Sequence, residues 1–296
     1  EKVKEIAYDH KGNPTVTFDL YNKQPKEIIE TQYTNGQTEY SISYVNKIKH
    51  GSNKKFGFDG TLRIDANYVN GQLDGKATYY YENGHKQFEY NYVNGEFHGE
   101  QLSYHENGKV SDKETYHYGS AEGTDYSYHE NGTISIERSF EENQLHGKYK
   151  FFATNGKLQI IRHYNHGNII GYSYHDKNGK EIDMIPLKNG SGKVTAFYDN
   201  GNKSRIMEYF NGKLVNAYEE YYYDGTLERK IQFVEGKYNG QFAEYHPNGK
   251  LKTESSYLYG DRHGAFKSYY DNGQLENVKN FLNYVESGEE KSYTKK

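Results

Sequence analysis

Thirteen histidines and a recurring set of carboxylates are the residues of this chain best suited to chemistry. His105, His129 and His246 each stand three places before a glycine, and His50, His98, His146 and His263 each stand immediately before one. Imidazoles at matched positions could bind zinc, which takes ligand nitrogens at about 2.1 Å. Glu89, Glu137 and Glu254 share another position, which Lys113 and Lys230 occupy elsewhere. Paired carboxylates do acid–base work only where their surroundings split their pKa values. Gly190-Ser191-Gly192-Lys193 imitates half a phosphate-binding loop. The full loop is G-x-x-x-x-G-K-[ST], and Leu187 and Val194 fill the places that need Gly and Ser or Thr. That reading is rejected. No Ser-His-Asp signature or nucleophile elbow is present. The chain has no cysteine, so thiol catalysis, disulfides and thiolate metal sites are excluded.

These matched positions come from a repeat. Glycine recurs about every 24 residues, at Gly12, Gly36, Gly60, Gly84, Gly108, Gly132, Gly156, Gly179, Gly201, Gly225, Gly249 and Gly273. From Gly36 onward, Asn or Asp precedes it. A fixed period of this size marks one supersecondary unit copied many times. Length alone would suggest two domains for 296 residues, but an unbroken period overrides that prior. Each unit holds two turn signals. One is E-N-G or its relatives, and the other is G-x-x-x-G, as in Gly71/Gly75, Gly95/Gly99 and Gly236/Gly240. The six to nine residues between them are strand length, too short for helices.

Positions can be counted from the glycine of the N-G turn. Position +8 is aromatic in nearly every unit (Tyr44, Tyr68, Tyr92, Tyr209, Phe233), as is −4 (Phe56, Tyr80, Tyr104, Tyr221, Tyr269). Position +2 is often aliphatic, and +3 and +7 are mostly polar. Period-two alternation predicts one aromatic face and one polar face. A three-residue loop with glycine in the left-handed conformation pairs −4 with +2 across the hairpin. It also predicts both aromatic rows on one face. The expected fold is all-β: an elongated tandem β-hairpin array of about 12 repeats, forming a twisted antiparallel meander of roughly 24 strands, on the order of 110 Å long. Residues 27–287 form the array. Glu1–Lys26 is an N-terminal cap or partial repeat, and Gly288–Lys296 a C-terminal tail. Spacing shortens to 22 between Gly179 and Gly201, where Met184 and Pro186 fall, so an irregular repeat with a kink or bulge is expected near 180–200. In such an array equivalent histidines lie two strands apart, about 9.5 Å, too far to share one ion. Neither a metal nor a cofactor is expected.

Composition narrows the partners. Charged residues make up 26% of the chain, and 34 tyrosines offset its polarity. Tyrosine buries a ring while leaving its hydroxyl at a wet edge, which suits a thin structure. Net charge is −4 with both signs interspersed, unlike the basic stripe that nucleic acid requires. No apolar run approaches the roughly 20 residues of a membrane helix. Glu1 rather than Met in first place suggests an upstream segment removed. An extracytoplasmic location, periplasm or cell surface, is expected ahead of the cytoplasm.

The pattern Y-x-x-N-G-x(10–12)-Y-x-N-G-x-x-x-G resembles the variant MORN repeats of bacterial proteins, some of them described as antitoxin-like. Tyr80–Gly99, Tyr104–Gly123 and Tyr245–Gly264 match best, and the resemblance covers roughly Tyr33–Tyr284. It implies hairpin arrays that serve as interaction platforms, without shared catalytic residues. Eukaryotic relatives are proposed to bind phospholipids. This chain lacks the basic surface for that, so lipid contact is not favoured. Choline-binding repeats need Trp, which is absent. The Tyr-Asp repeats of large polymorphic toxins are also Tyr- and Gly-rich, but form much bigger shells.

Position −3 carries the candidate partner-binding row: Tyr81, His105, His129, Tyr198, Tyr222, His246 and Tyr270. The alternation sets it on the polar face, where Tyr offers large contact area at low entropic cost. The bland reading is cross-strand support near a turn. The function expected is a non-catalytic scaffold for protein–protein interaction. The alternatives are an antitoxin or immunity protein that neutralises a toxin, and a cell-envelope glycan or lipid binder.

Overall fold

The computed structural model of the chain describes residues 4–8, 14–19, 24–282, 285–288 and 290–295, with side chains from Glu27 onward. The expected turn at Gly12 lies outside the described residues. All regular structure described is β-strand, running in consecutive antiparallel hairpins, and no helix is long and apolar enough to cross a membrane. The all-β hairpin fold expected from the repeat is the one found.

The chain forms two compact units. The first runs to Thr133 and takes in Phe140–Asn143; the second comprises Ile134–Ser139 and everything from Gln144 onward.

In the first unit, strands Gln72–Tyr80 and Lys86–Val93 show the local rules. They are joined by a loop of Glu82, Asn83 and Gly84. The Tyr81 N–H donates to the His85 carbonyl at 2.9 Å, and the Gly84 N–H to the Tyr81 carbonyl at 3.0 Å. Gly84 has φ +83°, a conformation glycine adopts without steric cost. Tyr80 pairs with Lys86, so −4 opposes +2 as the three-residue loop requires. The other turn is a two-residue one. Asn70 and Gly71 both have positive φ, 49° and 85°, which is the type I′ geometry that matches strand twist. The second glycine of each G-x-x-x-G is not part of this turn. Gly75, also left-handed, lies within its strand, where pairing skips from Tyr68–Leu73 to Ala66–Ala77.

The predicted single aromatic face is corrected by a second bulge. Beyond Tyr80–Lys86, the next pair is Tyr79–Phe88, so two residues of one strand oppose Tyr80. That extra residue reverses the parity. Positions −5, +4, +6 and +8 share one face, while −4 turns to the other with +5. The first face is an aromatic spine. Tyr79 lies 6.2 Å from Phe88 and 6.1 Å from Tyr90 between ring centroids, and Phe97 lies 4.9 Å from Tyr92 and 5.3 Å from Tyr116. On the opposite face the −4 rings lie among charges. The hydroxyl of Tyr269 donates to Glu254 Oε1 at 2.7 Å, and that of Tyr221 to Glu219 Oε2 at 2.6 Å.

The second unit contains two runs of strands. Gln144–Phe152, Leu158–Asn165, Asn168–Ser173 and Ile185–Pro186 pair in succession. Gly192–Phe197 opens the next run, which continues to Leu275–Leu282. The interval holds the isolated bridge Lys188–Ser191, and single backbone bonds tie Leu187 to Ile170 and Gly212 to Gly190. Pro186 brings no N–H to the ladder there. Gly171 approaches this segment so closely that a Cβ would sit 2.7 Å from the Ile185 carbonyl oxygen. With the ladder interrupted, Leu158–Asn165 packs against Gly192–Phe197 and Lys203–Phe210. Ile160, Ile169, Leu187, Val194, Met207 and Ile231 fill the space between. Lys291–Ser292 then pairs on the last long strand, Leu275–Leu282.

Candidate functional site

The −3 row has a definite structural task. The hydroxyl of Tyr81 donates to the Tyr104 carbonyl at 2.7 Å, Tyr198 to Tyr221 at 2.7 Å, Tyr222 to Tyr245 at 2.7 Å and Tyr270 to Tyr293 at 2.8 Å. His105 Nε2 lies 3.0 Å from the Tyr128 carbonyl oxygen, and His246 Nε2 2.9 Å from that of Tyr269. Each partner lies 23 residues on and, apart from Tyr293 in the C-terminal segment, is the −4 residue of the next repeat. His129 holds the same repeat position and is half-buried. The sequence reading sets this row on a polar surface; the structure directs its polar tips to the neighbouring unit. Tyr198, only 1% exposed, has no surface to offer a partner. Tyr33 belongs to the row as well, bonding the Phe56 carbonyl at 2.9 Å, and the repeat count alone would have found it.

The asparagine before the turn glycine joins units in the same way. Asn83 Oδ1 accepts the His85 N–H at 2.9 Å, while its Nδ2 donates to the Glu106 carbonyl at 3.0 Å. Asn107, Asn200 and Asn248 repeat the forward link at 2.9, 2.7 and 2.7 Å. Asp at this place keeps the acceptor and loses the donor, as at Asp59 and Asp224. At the type I′ edge the bonds run backward: the Gly95 N–H donates to Leu73 and the Gly236 N–H to Leu214, both at 2.8 Å.

The carboxylates at +5 are tied up by lysines. Glu89 lies 2.5 Å from both Lys76 and Lys86, Glu137 2.6 Å from Lys150, and Glu254 2.9 Å from Lys267. Lys113 pairs with Glu100, and Lys230 with Glu219 at 2.9 Å. Hydrogen bonds from Lys76 and Lys86 hold the Glu89 carboxyl below its usual range, and those from Lys267 and Tyr269 do the same for Glu254. An acid so depressed is ionised near neutrality and cannot serve as a general acid. Histidines at unlike repeat positions do meet: His98 and His117 rings are 5.3 Å apart, and His146 and His166 4.6 Å. The spacing argument covers equivalent positions alone.

One charged network was missed. In the second unit, +4 holds Arg205 and Arg229, and −5 holds Glu220 and Glu244. Once the bulge is known, these are direct cross-strand partners on the inward face. Arg205 Nη2 lies 2.7 Å from Glu220 Oε1, Arg229 Nη1 3.2 Å from Glu220 Oε2, and Arg229 Nη2 2.6 Å from Glu244 Oε1. Burial works to raise the Glu220 carboxyl, but Arg205, Arg229 and the Tyr218 hydroxyl outweigh it, and the net shift is downward.

Two surface features complete the inventory. Position +9 exposes an apolar side chain in four successive units: Phe210 at 62%, Val234 at 39%, Leu258 at 50% and Leu282 at 57%. Phe210, Val234 and Leu258 each end a strand beside a type I′ turn, and Leu282 ends its strand likewise, at a pitch of about 9.5 Å. A cleft of 470 Å³ lies along the same edge, lined by Ile169, Leu187, Asn168, Asn189 and Asn211.

Five segments of the chain, residues 73–94, 97–118, 145–166, 238–259 and 262–283, match the MORN repeat variant family. The resemblance read from the Tyr and Asn-Gly pattern is borne out there. No curated protein matches the chain. Among solved structures, TcdB2-TccC3 and TcdB2-TccC3-Cdc42 align at 11% identity with a TM-score of 0.20, covering 98% of this chain and 18% of theirs. The Photorhabdus luminescens Tc holotoxin pore aligns at 11% identity with a TM-score of 0.16, covering 95% of this chain and 19% of its own. The chain thus spans less than a fifth of the length of these structures.

Proposed function

We propose that this chain is a non-catalytic repeat scaffold that binds a protein partner along the row Phe210, Val234, Leu258 and Leu282. The supporting observation is the exposure of all four at one repeat position in consecutive units. Exposed apolar rows of this kind mark interaction surfaces, and equal spacing suits a partner that makes many modest contacts. Tyr81, Tyr222 and Tyr270 are half-buried and can add ring contacts, although their hydroxyls are engaged. A non-catalytic role fits the pairing of the +5 carboxylates with lysine.

The test is capture from a lysate of the native organism on immobilised full-length chain. Replacing Phe210, Leu258 and Leu282 with Gln and Val234 with Thr should abolish capture while leaving the thermal melt unchanged. Undiminished capture would sink the reading. A single toxin bound at fixed stoichiometry would specify an antitoxin; several partners would specify a scaffold.

A further inference from the structure

The inward charges of the second unit do not all have partners. Arg205, Glu220, Arg229 and Glu244 alternate in sign across neighbouring strands and neutralise one another. Arg162 stands outside that ladder. It comes from Leu158–Asn165, the strand packed across the core, and is 9% exposed. Its guanidinium lies 4.5 Å from the Phe151 ring centroid and 5.8 Å from that of Tyr209. Its Nη2 reaches Met207 Sδ at 3.4 Å. No carboxylate among the described residues forms an ion pair with it. Glu220, within electrostatic range, is already held by Arg205, Arg229 and Tyr218.

Three donors in this interior are buried without a hydrogen-bond partner in the protein: Arg162 Nε, Arg205 Nε and the Tyr209 hydroxyl. A guanidinium buried with no anion is strongly unfavourable, and buried donors are nearly always satisfied. The tyrosines do not supply the charge. Burial pushes the Tyr209 hydroxyl up to about 12 and raises Tyr218 too. Burial also raises the Glu228 carboxyl, and its charged neighbours are Glu220, Arg229, Arg205 and Glu244 rather than Arg162.

We propose that the core of the second unit binds a small monovalent anion, a halide, on Arg162 Nε and the Tyr209 hydroxyl, with Arg205 Nε as a further donor. The Phe151 ring and Met207 border the guanidinium. Such surroundings favour an ion of low hydration cost over a phosphate or sulfate. The anion supplies the charge that the ladder lacks and fixes Leu158–Asn165 against Lys203–Phe210.

The test follows thermal melting of the full chain at constant ionic strength, with sodium gluconate exchanged for sodium chloride or bromide. An ion bound only by the folded chain raises the melting temperature in a concentration-dependent way. The rise should be a few degrees, should weaken in Tyr209→Phe, which removes only the hydroxyl, and should vanish in Arg162→Met. Crystals grown in bromide should show an anomalous peak within hydrogen-bond distance of Arg162 Nε. Identical melting in gluconate and halide, or a rise undiminished in Tyr209→Phe, overturns the site. If Arg162→Met does not fold, Tyr209→Phe and the anomalous peak decide; absence of that peak also overturns it.

Discussion

Removing one oxygen from Tyr222 isolates the cost of a single link between units. Tyr222→Phe keeps the ring and leaves the Tyr245 carbonyl without its 2.7 Å donor. The expected loss is about 1 kcal/mol, read from the urea midpoint at unchanged slope. Asn248→Asp replaces the forward donor to Asp271 with a charged acceptor and should cost at least as much; Asp224, already lacking that donor, marks a place where the array tolerates the change. His163 gives a pH signature. Burial lowers its pKa from 6.5, against the pull of Glu181. A depressed value means that the unfolded chain takes up the proton first. The stability it contributes is therefore present above about 6.5 and is lost as pH falls through the folded value. His163→Gln should flatten the melting temperature in that window. At this scale the Asn-Gly turns were legible because their chemistry is local: positive φ and side-chain-to-backbone bonds lie within a few residues. The use of Tyr and His at −3 was legible only as recurrence. Their acceptors belong to the next unit, and nothing within one repeat names a partner 23 residues away.

At the level of the hairpin, two bulges decide which side chains see the core. Asn216, at φ 60°, occupies the strand position that Gly240 fills at φ 100° in the following unit. Asn216→Gly should be nearly neutral. Gly240→Ala should cost about 1–2 kcal/mol, since Cβ is disfavoured in the left-handed region, and denaturant melts of the pair will show the asymmetry. The pairing of −4 with +2 was legible from loop length. The faces were not, because the bulge at Tyr79/Tyr80 inserts one residue beyond the turn and leaves no compositional mark. With that single shift, the apparent aromatic face divides into the Phe88–Tyr90 spine and a row of tyrosines among lysines and glutamates. The same shift makes Arg205 and Glu220 partners. A count that ignores the bulge sets them on opposite faces, which is why the inward ladder escaped notice.

Over the whole molecule, the second unit carries its charge ladder beside an aliphatic core. Glu220→Gln leaves Arg205 and Arg229 short of an anion, and loss of one member of a buried pair costs about 3–5 kcal/mol. The wild-type carboxyl is held below 4.5. Its contribution is present above that value and disappears as pH falls through the folded value, so acid unfolding followed by circular dichroism should lose one steep component in the variant. Hydrogen exchange should be slowest at Ile160, Val194 and Met207, where two strand runs cover each other. The shortened step before Gly201 was visible in the sequence; that the chain would use it to bring Leu158–Asn165 against Lys203–Phe210 depends on contacts more than 40 residues apart. The links between units have a further consequence. At the Asn-Gly edge the turn asparagines Asn83, Asn107, Asn200 and Asn248 reach toward the C-terminal neighbour, and at the type I′ edge the N–H groups of Gly95, Gly119, Gly212 and Gly236 reach toward the N-terminal one. The array is therefore vectorial. Each unit emerging in order of synthesis finds backbone acceptors already in place at one edge and offers unfilled hooks at the other. A unit inserted in reverse would match neither.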